Sequence, residues 1–461
     1  MATTDAVVVG SGPNGLTAAA RLAQSGRRVL VIEKMSDVGG GTRTEELTLP
    51  GFLHDVCSAI HPFGIASPAY KELGIDIDWV LPPVAMSHPL DDGRVGALYN
   101  TTSETAAHMS RSDGERWMEL VSPMVEDIDS LMAEFLGPRI FPNPLSRSER
   151  RMTLTGMRSA ESLARTFESE EVRGMIAGLA AHSIAPLDSI LTGGVALLFA
   201  AVGNSYGWPL VRGGSQGIAN ALAETITNHG GEIMLDVELD SLKGFESIPV
   251  FLDVMPPAAL EIGGSRVAPL SRSRLRRWKP GPGVFKVDFA LSSPIPWSDP
   301  VSSNAGTVHV GGTLDEVVTA EAAVARGDHP DKPFVLVAQQ SNFDSSRAPN
   351  GQSTAWAYCH VPNGSTTDMT GALESQIERF APGFTSTILE RHARTANGFD
   401  SYNPNYVGGD IAGGRFGLHR YIPSPTNPYR IGKDLYLCSS STPPGGGTHG
   451  LCGWHASGSA I

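Results

Sequence analysis

The segment that most restricts what this chain can fold into lies almost at its start, "VVVGSGPNGLTAAARLAQSGRRVLVIEK" at 7–34. An apolar run, Val7 to Val9, feeds a glycine-rich turn. Helix formers follow, and a second apolar run, Val29 to Ile32, ends on an acid, Glu33. That order predicts strand, phosphate turn, helix and strand. The turn reads Gly10-Ser11-Gly12-Pro13-Asn14-Gly15. Its glycines have steric tasks: a tight bend, close approach of backbone to a pyrophosphate, and contact of helix with strand. Unpaired amides and the positive end of the helix dipole favour an anion at such a terminus. Glu33 stands 23 residues after Gly10, where a carboxylate can accept from both ribose hydroxyls of an adenosine and would repel a 2′-phosphate. The expectation is a bound ADP-containing dinucleotide. An ordinary strand-turn-helix unit would need the turn but not the acid.

The continuation, Lys34-Met35-Ser36-Asp37-Val38-Gly39-Gly40-Gly41-Thr42-Arg43-Thr44, carries three more glycines and an arginine, which an NAD site has no reason to place there. With "TEELTLPGFLHDVCSAIHPF" (44–63) and "LYLCSSSTPPGGGTHGLCGWHASG" (435–458), it resembles the phytoene desaturase-like FAD-dependent oxidoreductases and, more distantly, the flavin amine oxidases. The resemblance runs from end to end. It implies an α/β fold: a Rossmann-type, glutathione-reductase-like FAD domain assembled from residues 1–70, 205–265 and 425–461, with an α+β substrate domain inserted as 71–204 and 266–424.

On that resemblance FAD is the cofactor. Gly10, Gly12, Pro13, Asn14 and Gly15 hold the pyrophosphate, Glu33 and Lys34 stand at the ribose, and Gly40, Gly41, Thr42 and Arg43 line the pyrophosphate from the second turn. The backbone near Leu239 lies against the adenine, and Ser440, Gly446, Gly447 and Thr448 approach the flavin. Pro443 and Pro444 stop the preceding strand, Gly445 to Gly447 allow unusual backbone angles, and a helix can begin beyond them. Its amides would favour the negative charge that develops on a flavin accepting a hydride. Many flavin amine oxidases carry an acid where this chain has Cys438 and Ser439.

His61, in "SAIHPF", and His449, in the glycine turn, are the candidate catalytic residues. His182 and His360 read as satisfied core residues. A desaturation led by hydride loss needs no strong base, so the list of catalytic side chains can be empty. "GGVALLFAAVG" is too short to span a bilayer and reads as a core helix or cavity wall. "GVFKVDFAL", "PFVLVAQ" and "TAWAYCHV" read as strands of a sheet floor, and "NPNYVGGDIAGG" (403–414) as a loop approaching flavin or substrate.

Lys plus Arg, 35, against Asp plus Glu, 48, gives a net charge of -13, which disfavours nucleic acid. Cysteines at 57, 359, 438 and 452 form no CxxC, so neither a zinc site nor a redox dithiol is expected. With no room for a leader before the first strand, this predicts a cytoplasmic protein without a transmembrane segment, peripheral membrane contact being permitted. No second nucleotide turn is present for a nicotinamide, so electrons are expected to pass to oxygen or a quinone, or back to the substrate in an isomerisation.

The expected reaction is hydride transfer from a largely apolar small molecule. The alternatives are a flavin amine oxidase, a non-catalytic FAD-binding scaffold and, because Gly213-Gly214-Ser215-Gln216-Gly217 matches the G-x-S-x-G elbow, a serine hydrolase using Ser215. The chain ends at Ile461, soon after the flavin-facing helix begins and earlier than relatives of this kind usually end.

Overall fold

The computed structural model describes residues 4–140 and 156–460. Part of the first insert, 141–155, lies outside them. The opening segment forms β1 (Ala6–Val9), α1 (Pro13–Gln24) and β2 (Val29–Ile32). Proline at the first helical position is preset for α1, and the run of alanines behind it lets α1 lie flat on the sheet.

β1 and β2 pair in parallel within a six-stranded sheet, ordered 430–432, 435–437, 250–252, β1, β2, 232–234. The hairpin partner Arg430–Gly432 is antiparallel to its neighbour, and the other pairings are parallel. Ala6 and Val8 pack with α1 and Gln216–Asn228 on one face, while Val7 and Val9 pack with Pro256–Gly263 on the other. Burial on both faces explains why these strands read as unbroken apolar runs.

A second, seven-stranded sheet runs 388–394, 283–291, 353–361, 335–338, 305–310, 84–89, 95–99. The three strand-like runs expected of the second insert are all in it. Val84–Pro89 and Val95–Tyr99 of the first insert add two strands to this sheet. Glu170–Ala181 and Thr192–Tyr206 pack over it. The second of these helices contains "GGVALLFAAVG" and turns Val195, Leu198 and Phe199 toward the cavity described below. No helix of the described residues is long and apolar enough to cross a membrane.

Candidate active site

The first glycine turn is shaped as much by a residue far along the chain as by its own sequence. Gly10 has φ +96°, and a Cβ on Gly15 would stand 2.2 Å from the Gly10 carbonyl, so helix and strand touch through it. A Cβ on Gly12 would fall 2.7 Å from Asp253 Oδ2. Asp253 follows the strand Val250–Leu252, is buried, and accepts a hydrogen bond from Gly15 N at 2.9 Å. Burial, reinforced by the Glu33 carboxylate, pushes its carboxyl up to about 7 despite the amides it accepts from.

Glu33 closes the turn from the other side. Oε2 accepts from Ser11 N at 2.7 Å and Ser11 Oγ at 2.6 Å, and Oε1 accepts from Met35 N at 2.9 Å. The second glycine turn leans on the first: Gly39 N donates to Ser11 O at 2.9 Å, and a Cβ on Gly40 would stand 3.0 Å from Gly12 Cα. Arg43, 5% exposed, is not solvated. It donates to Tyr402 O at 2.7 Å and to Gly40 O at 3.2 Å, and its guanidinium lies 4.1 Å from the centre of the Tyr402 ring.

The two ends of the chain meet here. Ser58 Oγ and Thr448 Oγ1 are 3.0 Å apart, Tyr70 Oη donates to Thr448 O at 2.7 Å, and Ser67 Oγ donates to His449 O at 2.7 Å. A Cβ on Gly453 would fall 1.8 Å from Asn14 O, so the closing helix, Leu451–Gly458, lies directly on the start of α1.

One cavity of about 520 Å³ links these parts. Glu33, Lys34 and Leu239 line its outer end, and Gly10, Gly12, Pro13, Asn14, Gly40, Gly41, Thr42, Arg43, Ser440, Gly446, Gly447 and Thr448 line its middle. The expected cofactor residues other than Gly15 thus line one surface, and Gly15 supports it through Asp253. Lys34 sits at the rim, paired with Glu238 at 2.7 Å. The inner end is apolar: Phe63, Phe135, Phe199, Trp208, Leu336, Trp356 and Tyr358. The loop 403–414 lines the cavity through Asn403 to Tyr406, Ile411, Ala412 and Gly414, and Asn405 Nδ2 ties it to Asp253 O at 3.0 Å.

These residues fit FAD: an acid at the ribose end, two stacked glycine turns in the middle, and an aromatic chamber beyond. Asn14 Oδ1, on a cavity-wall residue in the first turn of α1, is buried without a partner among the described residues.

Two expectations need correction. His61 and His449 are buried, and neither lines the cavity, although the segments that carry them do. His61 Nε2 meets Ser215 Oγ at 2.8 Å, and burial lowers its pKa to about 4. His449 Nδ1 accepts from Leu451 N at 3.0 Å, serving the first turn of the closing helix, and burial lowers it to about 3. In both, burial favours the neutral form, and a ring nitrogen is engaged by a neighbouring group, Ser215 or the Leu451 amide.

The hydrolase elbow fails on the same geometry. Ser215 is 0% exposed and lies off the cavity, its Oγ donates to Ser58 O at 2.6 Å, and Asp55 binds the Ser215 amide at 2.7 Å rather than the imidazole. Sequence reasoning missed Asp253 and misplaced His182, which lines the inner chamber. An acid directly after "VFL" was the available signal for the first. Among the described residues, no cluster of three or more His, Cys, Asp or Glu could hold a metal.

Comparison with known proteins agrees with this architecture. Residues 8–73 match the family described as NAD(P)-binding Rossmann-like domain. The chain is 28% identical to one component of the limonene dehydrogenase of Castellaniella defragrans, over 55% of its own length and 48% of that protein. It is 23% identical to pyridine nucleotide-disulfide oxidoreductase domain-containing protein 2 of Rattus norvegicus, covering 98% of this chain and 92% of the relative. A 4,4'-diapophytoene desaturase of Staphylococcus haemolyticus is 22% identical over 95% of each chain.

Among solved structures, an oxidoreductase from Methanosarcina mazei superposes with TM-score 0.65 at 14% identity, covering 99% of this chain and 100% of the other. Cyclohexylamine oxidase of Brevibacterium oxydans superposes with TM-score 0.61 at 16% identity, covering 99% and 98%. At such identities the superpositions speak for the fold. The full-length relatives and the Rossmann-like dinucleotide-binding domain together support the assignment of this chain to the FAD-dependent oxidoreductases.

Proposed function

We propose that the protein dehydrogenates a carbon-carbon bond of a largely apolar small molecule, with oxygen or a quinone as the terminal acceptor. The observation that carries this reading is the single cavity that passes from a dinucleotide cradle into an aromatic and aliphatic chamber. Bound FAD would supply the hydride acceptor. The protein's own part is to hold and to exclude. Glu33 and the two glycine turns fix the nucleotide end. The chamber wall strips water from the substrate, and its apolar area provides the binding free energy, roughly 25 cal/mol per Å² buried.

Among the described chamber residues there is no ionised base. His182 is lowered to about 3 by burial, and burial raises the Tyr358 hydroxyl well beyond physiological pH. A chamber whose imidazole is so weak a base suits hydride loss as the leading event.

One observation favours amine oxidation as a second reading. Tyr402 and Tyr406 line the cavity as near-parallel rings, 6.5 Å between centres and inclined by 11°. Against it, Arg43 already lies over Tyr402, and Tyr406 Oη packs on Gly41 beside the pyrophosphate turn.

The test is an absorption spectrum of purified protein with and without added FAD, followed by anaerobic exposure to polyenes, unsaturated lipids and amines. Bleaching of the flavin bands by an alkene supports the proposal, and bleaching by amines alone replaces it with the second reading. Flavin that binds but never bleaches would favour a redox-neutral isomerase or a non-catalytic scaffold.

A further inference from the structure

We infer that the inner chamber contains a dedicated hydrogen-bond donor, His182, and therefore selects apolar ligands that carry an oxygen acceptor. This rests on the reading of the chamber as a substrate site.

His182 closes the helix Glu170–Ala181 and lines the cavity among aromatic rings. Its ring is clamped: stacked on Phe199 at 4.4 Å between centres and edge-on to Trp208 at 5.4 Å. Nε2 faces Nε2 of His309 at 3.2 Å. That leaves Nδ1, which has no partner among the described residues and is not one of the sealed, unpartnered buried atoms. His309 lies behind it on the strand Ala305–Val310, 0% exposed, with its own Nδ1 buried and without a partner among the described residues.

The direction of the proton between the two rings follows from Gly178. A Cβ built on Gly178 would stand 2.6 Å from His309 Nδ1, so a C–H of that glycine points at this nitrogen. A lone pair tolerates the contact as a weak C–H donor interaction, whereas an N–H would meet it head-on and remain unsatisfied. His309 therefore carries its proton on Nε2 and donates to His182, and His182 carries its proton on Nδ1. Both imidazoles stay neutral, because burial lowers each pKa, with His360 lowering His182 further and His182 and His88 lowering His309 further. The chamber thus presents a neutral N–H, beside the protonated Tyr358 hydroxyl, in a largely apolar wall. A ligand that cannot accept from it leaves that donor unpaired, which is how a polar site rejects a hydrocarbon analogue.

Menthone and menthane share one carbon skeleton and differ by a carbonyl, so isothermal titration of the FAD-loaded protein with each isolates this contact. The expected result is menthone binding about tenfold or more tighter than menthane. His182→Leu should bring the two within about twofold by weakening menthone alone. His182→Asn, which keeps a neutral N–H near the same place, should retain the preference. Gly178→Ala, which displaces His309 without touching the chamber wall, should reduce it. Equal binding by the wild type, or a preference that survives His182→Leu, overturns the inference and leaves the apolar chamber standing. Absence of saturable binding by either compound overturns the chamber reading itself, and this inference with it.

Discussion

Asp253→Asn should stabilise the cofactor-free protein, and by more as the pH rises. The carboxyl is buried under the start of α1, with its folded pKa raised from 3.8 to about 7. Between those values the native state holds a proton that the unfolded chain has released. Wild-type stability therefore falls as pH rises through that window and levels off above about 7. The whole shift corresponds to about 4 kcal/mol, and the portion between pH 5.5 and 7 to about 2 kcal/mol.

Asparagine keeps an oxygen to accept from Gly15 N and cannot ionise. The stability gap between variant and wild type should thus widen by about 2 kcal/mol from pH 5.5 to pH 8. At roughly 2.1 cal/mol/K per residue this is about 2 °C in Tm for a chain of this length, within reach of a fluorimetric melt or a urea titration. FAD adds a second readout. A pyrophosphate at the same helix terminus raises the proton's affinity again, so FAD binding takes up a proton. Its Kd should weaken by up to about tenfold per pH unit above 7 in the wild type, and stay flat in the variant. A gap that does not change with pH, or a variant less stable at pH 8, would refute the assignment of the buried proton to Asp253.

Arg347, 0% exposed, holds Asp344 at 2.9 Å, Asp55 at 3.1 Å and Val211 O at 2.9 Å, so Arg347→Met strands two buried carboxylates and should cost about 3–5 kcal/mol in urea unfolding. Ser215→Ala removes the hydroxyl shared by Ser58 O and His61 Nε2, and should cost about 1–2 kcal/mol of stability while leaving flavin content and turnover intact, whereas a hydrolase would lose its activity. Glu33→Gln replaces charge-assisted acceptance at the ribose with neutral acceptance and should weaken FAD by about tenfold or more in a fluorescence titration, with retained affinity counting against the ribose assignment.

The cofactor end was legible because its signals are local. β1, the turn, α1 and β2 follow one another without a break, and Glu33 reaches the turn from a spacing the sequence displays. The strands Gly283–Leu291, Val335–Ala338 and Ser353–Val361 were legible for the same reason, as apolar runs with β-branched and aromatic residues. Val84–Pro89 was not. It is buried along its whole length, so the alternation that marks a half-buried strand is lost, and it carries a histidine and ends in a proline. Side-chain direction was the other blind spot. "SAIHPF" does run along the cavity, yet Pro62 and Phe63 line it while His61 turns back to Ser215. Asp253 depends on a contact between residues 238 positions apart, which no local pattern encodes.

Both kinds of miss bear on mechanism in the same way. His61 and His449 were expected near the chemistry because an imidazole in water titrates near neutrality, but desolvation favours the neutral form of both, as it does of His182 and His309. The cavity group with a pKa near 7 is Asp253, at the pyrophosphate turn and not in the chamber. A reaction that began with proton abstraction would need its base at the inner end, where the wall offers aromatic rings, the protonated Tyr358 hydroxyl and a neutral imidazole. A reaction that begins with hydride departure needs an apolar, water-excluding wall and a nearby acceptor, and the second requirement is met by the fold's nucleotide site instead of by a side chain. The arrangement therefore supports the proposed hydride-led dehydrogenation. It also puts the pH dependence at cofactor binding, where Asp253 titrates, so turnover measured at saturating FAD should be flatter with pH than turnover at limiting FAD.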